Sequence, residues 1–173
     1  ALPILKSGGY RVVAILLTHG HFDHTDGIAD LLKGMGEKVP IYAHEAERET
    51  LEEARLNLSF SMDWNAKGYS ADNYLKDGEE IVLAGFAIKV FHTPGHTDGG
   101  CCYYFKDEAA VFTGDSLFAE AIGRTDFPHG SMSNLIRSVK EKILTLPEDT
   151  DVYPGHEGVT TVGEEKRFNP FLR

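Results

Sequence analysis

Thr18-His19-Gly20-His21-Phe22-Asp23-His24 places four potential metal ligands within six residues, directly after the apolar run Val12 to Leu17. In an extended segment, residues two apart project to the same side, so His19 and His21 can grip one cation together. Asp23 and His24, at the turn leaving the strand, can face a second cation. A lone His-x-His is common in surface loops, but His-x-His-x-Asp-His closing an apolar strand is a specific pattern.

Three further donors sit at predicted strand ends. Thr93-Pro94-Gly95-His96-Thr97 follows one strand, Thr113-Gly114-Asp115 another and Pro154-Gly155-His156 a third. Each corner reads strand, glycine, ligand, and glycine lets the backbone approach closely because it lacks a Cβ. Five histidines and two aspartates thus share one local context. They predict a dinuclear site for divalent cations, zinc first, with iron or manganese as alternatives. Two cations sharing a water lower its pKa from about 15.7 toward neutrality. Such a site hydrolyses an acyl compound without a Ser-His or Cys-His pair.

Several elements must position these residues. Ala1 to Gly9 reads as the tail of a helix ending at Gly8-Gly9, and Arg11 to Thr18 as a buried strand. Asp26 to Met35 predicts a helix with Ile28, Leu31 and Leu32 on one face. Val39 to Ala43 predicts a short strand and Glu45 to Ala54 a charged, exposed helix. Asn57 to Asn73 has no period and reads as a loop over the site. Ala84-Gly85 joins strands Glu80 to Leu83 and Phe86 to Phe91 as a hairpin. A second hairpin joins Cys101 to Phe105 and Ala109 to Thr113. Ser131 or Ser133 can cap a helix to Leu146, with Leu135, Val139, Ile143 and Leu146 as its core stripe. Asp151 to Tyr153 is a last strand, and Gly163 to Phe168 a short terminal helix.

The chain has 173 residues, 42% hydrophobic and 25% charged, which fits one domain with a sizeable core. No apolar run is long enough for a membrane span, and nothing at the start resembles a signal peptide. Cys101 and Cys102 are neighbours in a strand and point to opposite faces, which argues against a mutual disulfide and for a cytoplasmic protein. A net charge of −10 disfavours nucleic acid as a partner.

The order His-x-His-x-Asp-His, then His96, Asp115 and His156 at strand ends, resembles the metallo-β-lactamase superfamily over nearly the whole chain. The resemblance implies an α/β fold, an αββα sandwich, with residues 1–173 forming a single hydrolase domain. It also implies that His19, His21 and His96 bind metal one, that Asp23, His24 and His156 bind metal two, and that Asp115 bridges them. β-Lactamases of the commonest type carry Cys where Asp115 stands, so antibiotic hydrolysis is not expected. Gly123-Arg124-Thr125-Asp126-Phe127 and Asn169-Pro170-Phe171-Leu172 resemble the glyoxalase II-like branch, the hydroxyacyl-thiol thioesterases. That branch implies a small-molecule 2-hydroxyacyl thioester such as S-D-lactoylglutathione as substrate. Asp23 would orient the hydroxide, and Arg124 and Asp126 would contact the substrate or form a salt bridge beside the site. A thiolate, with a conjugate-acid pKa of about 8.5, departs without a dedicated general acid. Persulfide dioxygenases share the Gly-Arg-Thr-Asp stretch, so a mononuclear iron centre on His19, His96 and Asp115 is the alternative. A nuclease or a metal-binding non-enzyme comes third.

The remaining conspicuous residues have plainer readings. His44 has a structural or capping role, and His92 supports a ligand rather than being one. His129 is incidental or lines the substrate path, and Trp64, Tyr69 and Tyr74 cap the pocket or simply pack. Glyoxalase II carries a C-terminal helical domain that supplies most contacts to glutathione. The sequence reads as ending before such a domain, which leaves the thiol carrier open. The strands that usually begin the family's fold are also expected to be missing. This would leave the strand at Arg11 to Thr18 as an open edge, to be covered by upstream residues or by another subunit.

Overall fold

A computed structural model describes residues 2–62 and 66–173. The first half comprises helix α1 (Leu2–Gly8), strand β1 (Ile15–Leu16), helices α2 (Phe22–Thr25) and α3 (Ile28–Met35), and strand β2 (Ile41–His44). A 3-10 turn (Glu45–Glu47) then leads into α4 (Arg48–Glu52), followed by α5 (Ser59–Met62) and β3 (Asn73–Leu75). The second half runs β4 (Glu80–Leu83), β5 (Phe86–His92), β6 (Cys101–Phe105), β7 (Ala110–Gly114), β8 (Leu117–Phe118) and β9 (Ala121–Ile122). After these come α6 (Met132–Ser138), β10 (Asp151–Pro154), β11 (Thr160–Thr161) and α7 (Val162–Phe168). No helix among the described residues is long and apolar enough to cross a membrane.

The strands form a parallel three-stranded sheet, β1-β2-β3, and a six-stranded sheet ordered β11-β10-β7-β6-β5-β4, with β8-β9 as a separate hairpin. Three apolar clusters define the layers. Leu17, Ala43 and Leu51 pack with Ile28 on the helical side of the small sheet. Leu75, Ile88, Val90, Cys101 and Tyr103 fill the space between the sheets, against Leu16 and Tyr42. Leu135, Val139, Ile143 and Leu146 cover the far face of the large sheet, against Cys102, Tyr104, Val111 and Val152. The order is therefore helix, sheet, sheet, helix.

Strand β6 shows how period-2 geometry builds this sandwich. Cys101 and Tyr103 point into the inter-sheet core while Cys102 and Tyr104 point to the helices. Both cysteines are free and buried. Two hydrogen bonds tie β6 to the small sheet just before the histidine motif. The Tyr103 hydroxyl donates to the Leu17 carbonyl at 2.8 Å, and the Cys101 N–H to the Thr18 carbonyl at 2.8 Å.

The apolar run at residues 12–17 pairs only at Ile15 and Leu16, because β2 offers Ile41 and Tyr42 as its partners. The helix expected from Asp26 starts at Ile28 and ends on Gly36 in the left-handed conformation, φ 74°. The segment read as a charged, exposed helix is a 3-10 turn followed by α4, and it buries Glu47, Thr50 and Leu51. The segment read as a loop over the site contains α5 and strand β3 begins at Asn73; its Asn57 is fully buried. The stripe from Leu135 to Leu146 is buried as expected, with Ser131 as the N-cap. Its middle widens into a π-helical turn over Val139–Ile143. Among the described residues, strand β1 lies at the edge of its sheet, paired to β2 alone.

Candidate metal centre

The seven donors come from four chain segments that the two sheets bring to one edge. Leaving β1, the chain passes His19 and His21; His21 sits in extended backbone at the start of α2, and its carbonyl accepts from the Thr25 hydroxyl at 3.0 Å. Asp23 and His24 lie within α2 itself. The loop after β5 carries His96, and its fold is pinned where the Gly95 carbonyl accepts from Ser131 N–H at 2.8 Å. Asp115 follows β7 and His156 follows β10. These two strands are parallel neighbours, and Gly155 N–H donates to the Gly114 carbonyl at 2.9 Å, which sets Asp115 and His156 side by side.

The donor atoms form three overlapping sets, His19/His21/His96, His19/His24/Asp115 and Asp23/His24/His156, each with its atoms within 4.8 Å of one another. His96 Nε2 lies 2.9 Å from His21 Nδ1. On the other side, His156 Nε2 is 3.3 Å from His24 Nε2 and 3.2 Å from Asp23 Oδ2. Asp115 stands between them. Its Oδ2 is 3.6 Å from both His96 Nε2 and His156 Nε2, and its Oδ1 is 3.3 Å from His24 Nε2.

The electrostatics fit a cation. Burial, reinforced by the neighbouring imidazoles, holds His19 well below the ordinary histidine range. Burial and then His96 lower His21 to about 4. Burial also lowers His96. These rings therefore carry free lone pairs at neutral pH. For His96 the tautomer is fixed as well: Nδ1 lies 2.7 Å from the Arg124 carbonyl, which can only accept, so Nδ1 carries the proton and Nε2 the lone pair. At His24 burial opposes charge, but the Asp115 and Asp23 carboxylates outweigh it and raise the pKa. At Asp115 burial is likewise outweighed, by His24 and the other imidazoles, and the carboxyl is lowered. His19 Nε2 and Asp115 Oδ1 are buried with no hydrogen-bond partner. The 3.3 Å approach of His24 to Asp115 is an ion-pair distance without hydrogen-bond alignment. Each orphan costs about 1–3 kcal/mol unless something satisfies it, and a divalent cation satisfies both.

Five of the seven donors, His21, Asp23, His96, Asp115 and His156, line a cleft of about 630 Å³, whose wall also includes Phe22, Leu58, Phe118, Ile122 and Phe127. Arg124 lines its rim and pairs bidentately with Asp126 at 2.9 and 2.8 Å, with its guanidinium 4.4 Å from the Phe127 ring centre. The salt bridge foreseen for this pair is thus present, while it is the Arg124 main chain that meets His96.

The other histidines lie apart from the seven. His44 caps the following turn, its Nδ1 accepting from Ala46 N–H at 3.3 Å. His92 stacks on His44 at 4.0 Å and holds the Asp98 carbonyl, so it supports the loop that carries His96. His129 pairs with the Asp98 carboxylate, which raises its pKa. Tyr69 and Tyr74 pack against the small sheet, and Trp64 lies outside the described residues.

Sequence reasoning missed two polar groups that shape the site. Asn57 holds Leu51 and Lys67 carbonyls with its side chain, and its own carbonyl accepts from Phe22 N–H at 2.8 Å. Glu47 is buried beneath the ligand loops, where desolvation pushes its carboxyl up to about 7 against hydrogen bonds from Gly20, Thr97 and Gly99.

The chain is similar to several known proteins. A protein of Streptococcus pyogenes serotype M6 named as a "probable metallo-hydrolase" is 39% identical over 97% of this chain and 74% of its own length. A hydroxyacylglutathione hydrolase of Haemophilus influenzae is 38% identical over 91% of this chain and 74% of its own. Among solved structures, BLEG-1 B3 metallo-β-lactamase superposes with a TM-score of 0.90 at 40% identity, covering 99% of this chain and 82% of that one. TTHA1623, solved in a di-iron-bound form, gives 0.84 at 36% identity, covering 99% and 83%. With residues 2–156 matching the family pattern as well, the chain belongs to the metallo-β-lactamase superfamily.

Proposed function

We propose that the chain is a metal-dependent hydrolase whose substrate is a 2-hydroxyacyl thioester, and that the seven clustered donors are its metal ligands. One observation carries this reading: five of the clustered donors, His21, Asp23, His96, Asp115 and His156, line a cleft together with Phe22, Leu58, Phe118, Ile122 and Phe127, so an acyl group can rest on hydrocarbon while its carbonyl meets the donors. The likeness to the Haemophilus hydroxyacylglutathione hydrolase supports the choice of thioester.

His19, His21 and His96 would hold one cation, Asp23, His24 and His156 a second, and Asp115 both. Bound there, zinc or iron supplies a water deprotonated near neutral pH and positive charge for the acyl oxyanion. Asp23, which lines the cleft, orients the attacking water through its carboxylate. His96 keeps its Nε2 lone pair because the Arg124 carbonyl fixes its proton on Nδ1. Phe22, Phe118, Ile122 and Phe127 exclude bulk water around the acyl chain. Arg124 and Asp126 form the polar rim against which the thiol carrier lies. The thiolate leaves without a proton donor. Free, buried cysteines support a cytoplasmic setting.

A β-lactam is the competing substrate, because BLEG-1 is named as a β-lactamase; its leaving nitrogen, unlike a thiolate, needs a proton. Metal-loaded protein should be assayed with S-D-lactoylglutathione, with a chromogenic β-lactam, and with glutathione persulfide under oxygen monitoring. Thioester hydrolysis should dominate and disappear on chelation, and Asp23→Asn should lower kcat more than it raises KM. Absence of thioester turnover alongside β-lactam opening or oxygen uptake would refute the assignment.

A further inference from the structure

Glu47 is 1% exposed and, among the described residues, has no basic side chain as its partner. Its carboxylate instead joins two loops that are far apart in sequence. Oε1 accepts from Gly20 N–H at 2.8 Å, midway between His19 and His21. Oε2 accepts from the Thr97 hydroxyl at 2.8 Å and Gly99 N–H at 2.7 Å, just beyond His96. All three proposed ligands of the first cation therefore hang on segments held by this one side chain. The packing says the same by a separate route: a Cβ on Gly99 would overlap the Glu47 backbone, so the His96 loop lies directly on the Glu47 turn.

We propose that Glu47 is a positioning residue for the His19/His21/His96 half of the centre, holding the two ligand-bearing loops in register from behind. The acceptor count explains why a carboxylate is needed. Two of the three donors are backbone N–H groups on opposite sides, so both oxygens must accept. A glutamine can satisfy only one side; its NH₂ must then face the N–H of Gly20 or of Gly99, and one loop is released. Asp23, His24 and His156 are not among the groups hydrogen-bonded to Glu47; the first two lie within α2 and the third follows β10. The effect therefore falls mainly on one half of the pair. The inference rests on the reading of these seven residues as ligands.

The test is Zn²⁺ and Co²⁺ binding to metal-free protein, measured by competition with a chromogenic chelator, together with the Co²⁺ spectrum and the melting temperature of each metal-free variant. Wild type should show two sites. Glu47→Gln should weaken one site about 10–100-fold, the size of effect that supporting groups behind a ligand exert, and leave the other near its original affinity. Thr97→Val, which removes one of three bonds, should give a smaller change in the same site and serves if Glu47→Gln does not fold. Ile143→Ala, in the core on the far face of the large sheet, should lower the melting temperature without changing either affinity. The proposal is overturned if Glu47→Gln and Thr97→Val bind both ions as wild type does, or if Ile143→Ala weakens them equally. Wild-type protein that binds neither ion would overturn the metal centre, and the proposal with it.

Discussion

Replacing Gly155 by alanine probes the centre through a single methyl group. Built on the existing backbone, the new Cβ would sit 2.5 Å from Asp115 Oδ1 and 2.7 Å from His24 Cε1, where ordinary contact begins near 3.4 Å. Something must yield by roughly 0.7–0.9 Å, several times the ±0.2 Å that a metal–ligand distance tolerates. Asp115 has little room to give: its carbonyl is pressed against Gly123, and Ser116 N–H bonds Thr113 at 3.0 Å. Overpacking of this kind costs about 1–3 kcal/mol of stability. That lowers the melting temperature of the metal-free protein modestly and leaves it folded. The larger effect falls on metal content. Because Asp115 and His24 are both displaced, the Asp23/His24/His156 half should lose at least tenfold in affinity, with a smaller loss in the other half. Metal analysis after dialysis against a zinc buffer, alongside calorimetric melting, reads both quantities. A Gly155→Ala protein that retains two ions at wild-type affinity would refute the packing argument.

Two other perturbations separate the parts of the molecule. Asp115→Ala should impair both metal sites and His156→Ala mainly the second, as seen by metal stoichiometry on folded protein. The second concerns His44, whose pKa is lowered to about 4 from an ordinary 6.5 by burial and then by stacked His92. The fold therefore favours the neutral ring. Its contribution is fully present above pH 6.5 and is lost as pH falls toward 4, by about 3 kcal/mol at most. Asparagine at position 44 keeps an acceptor for Ala46 N–H but does not titrate. The stability advantage of wild type over His44→Asn in urea titrations should accordingly shrink between pH 7 and pH 4, and a constant difference would contradict the burial argument.

That these seven residues come together was legible in the sequence, because metal coordination would demand particular residue types at close spacing. Four of the seven are nearly consecutive, and the other three repeat a strand-glycine-donor corner. The two-faced burial of β6 was legible for a similar local reason, since period-2 alternation is a property of the strand itself. The supports behind the site were not legible. Glu47 reads as one more charge in an acidic stretch, and its partners lie 27 to 52 residues away. Asn57 sits in a polar run without period, buried because its side chain completes hydrogen bonds that only the folded loop presents. The stripe Leu135, Val139, Ile143 and Leu146 identified the buried face correctly. It could not reveal the π turn, where Leu144 N–H bonds the Val139 carbonyl five residues back at 2.9 Å, because a face pattern does not encode hydrogen-bond spacing.

The cysteines of β6 bear on how the chemistry can be watched. Burial pushes Cys102 up to about 11 and Cys101 higher still, so thiolate, the form that attacks oxidants and disulfide reagents, is scarce at both positions near neutral pH. Neither residue is accessible from solvent. An aromatic disulfide dye present during turnover would consequently find a native protein silent and respond only to thiol set free from substrate. The same dye would register every unfolding event, because the two sulfurs become reactive together when the sheets part. One reagent thus reports product formation under native conditions and loss of structure under denaturing ones.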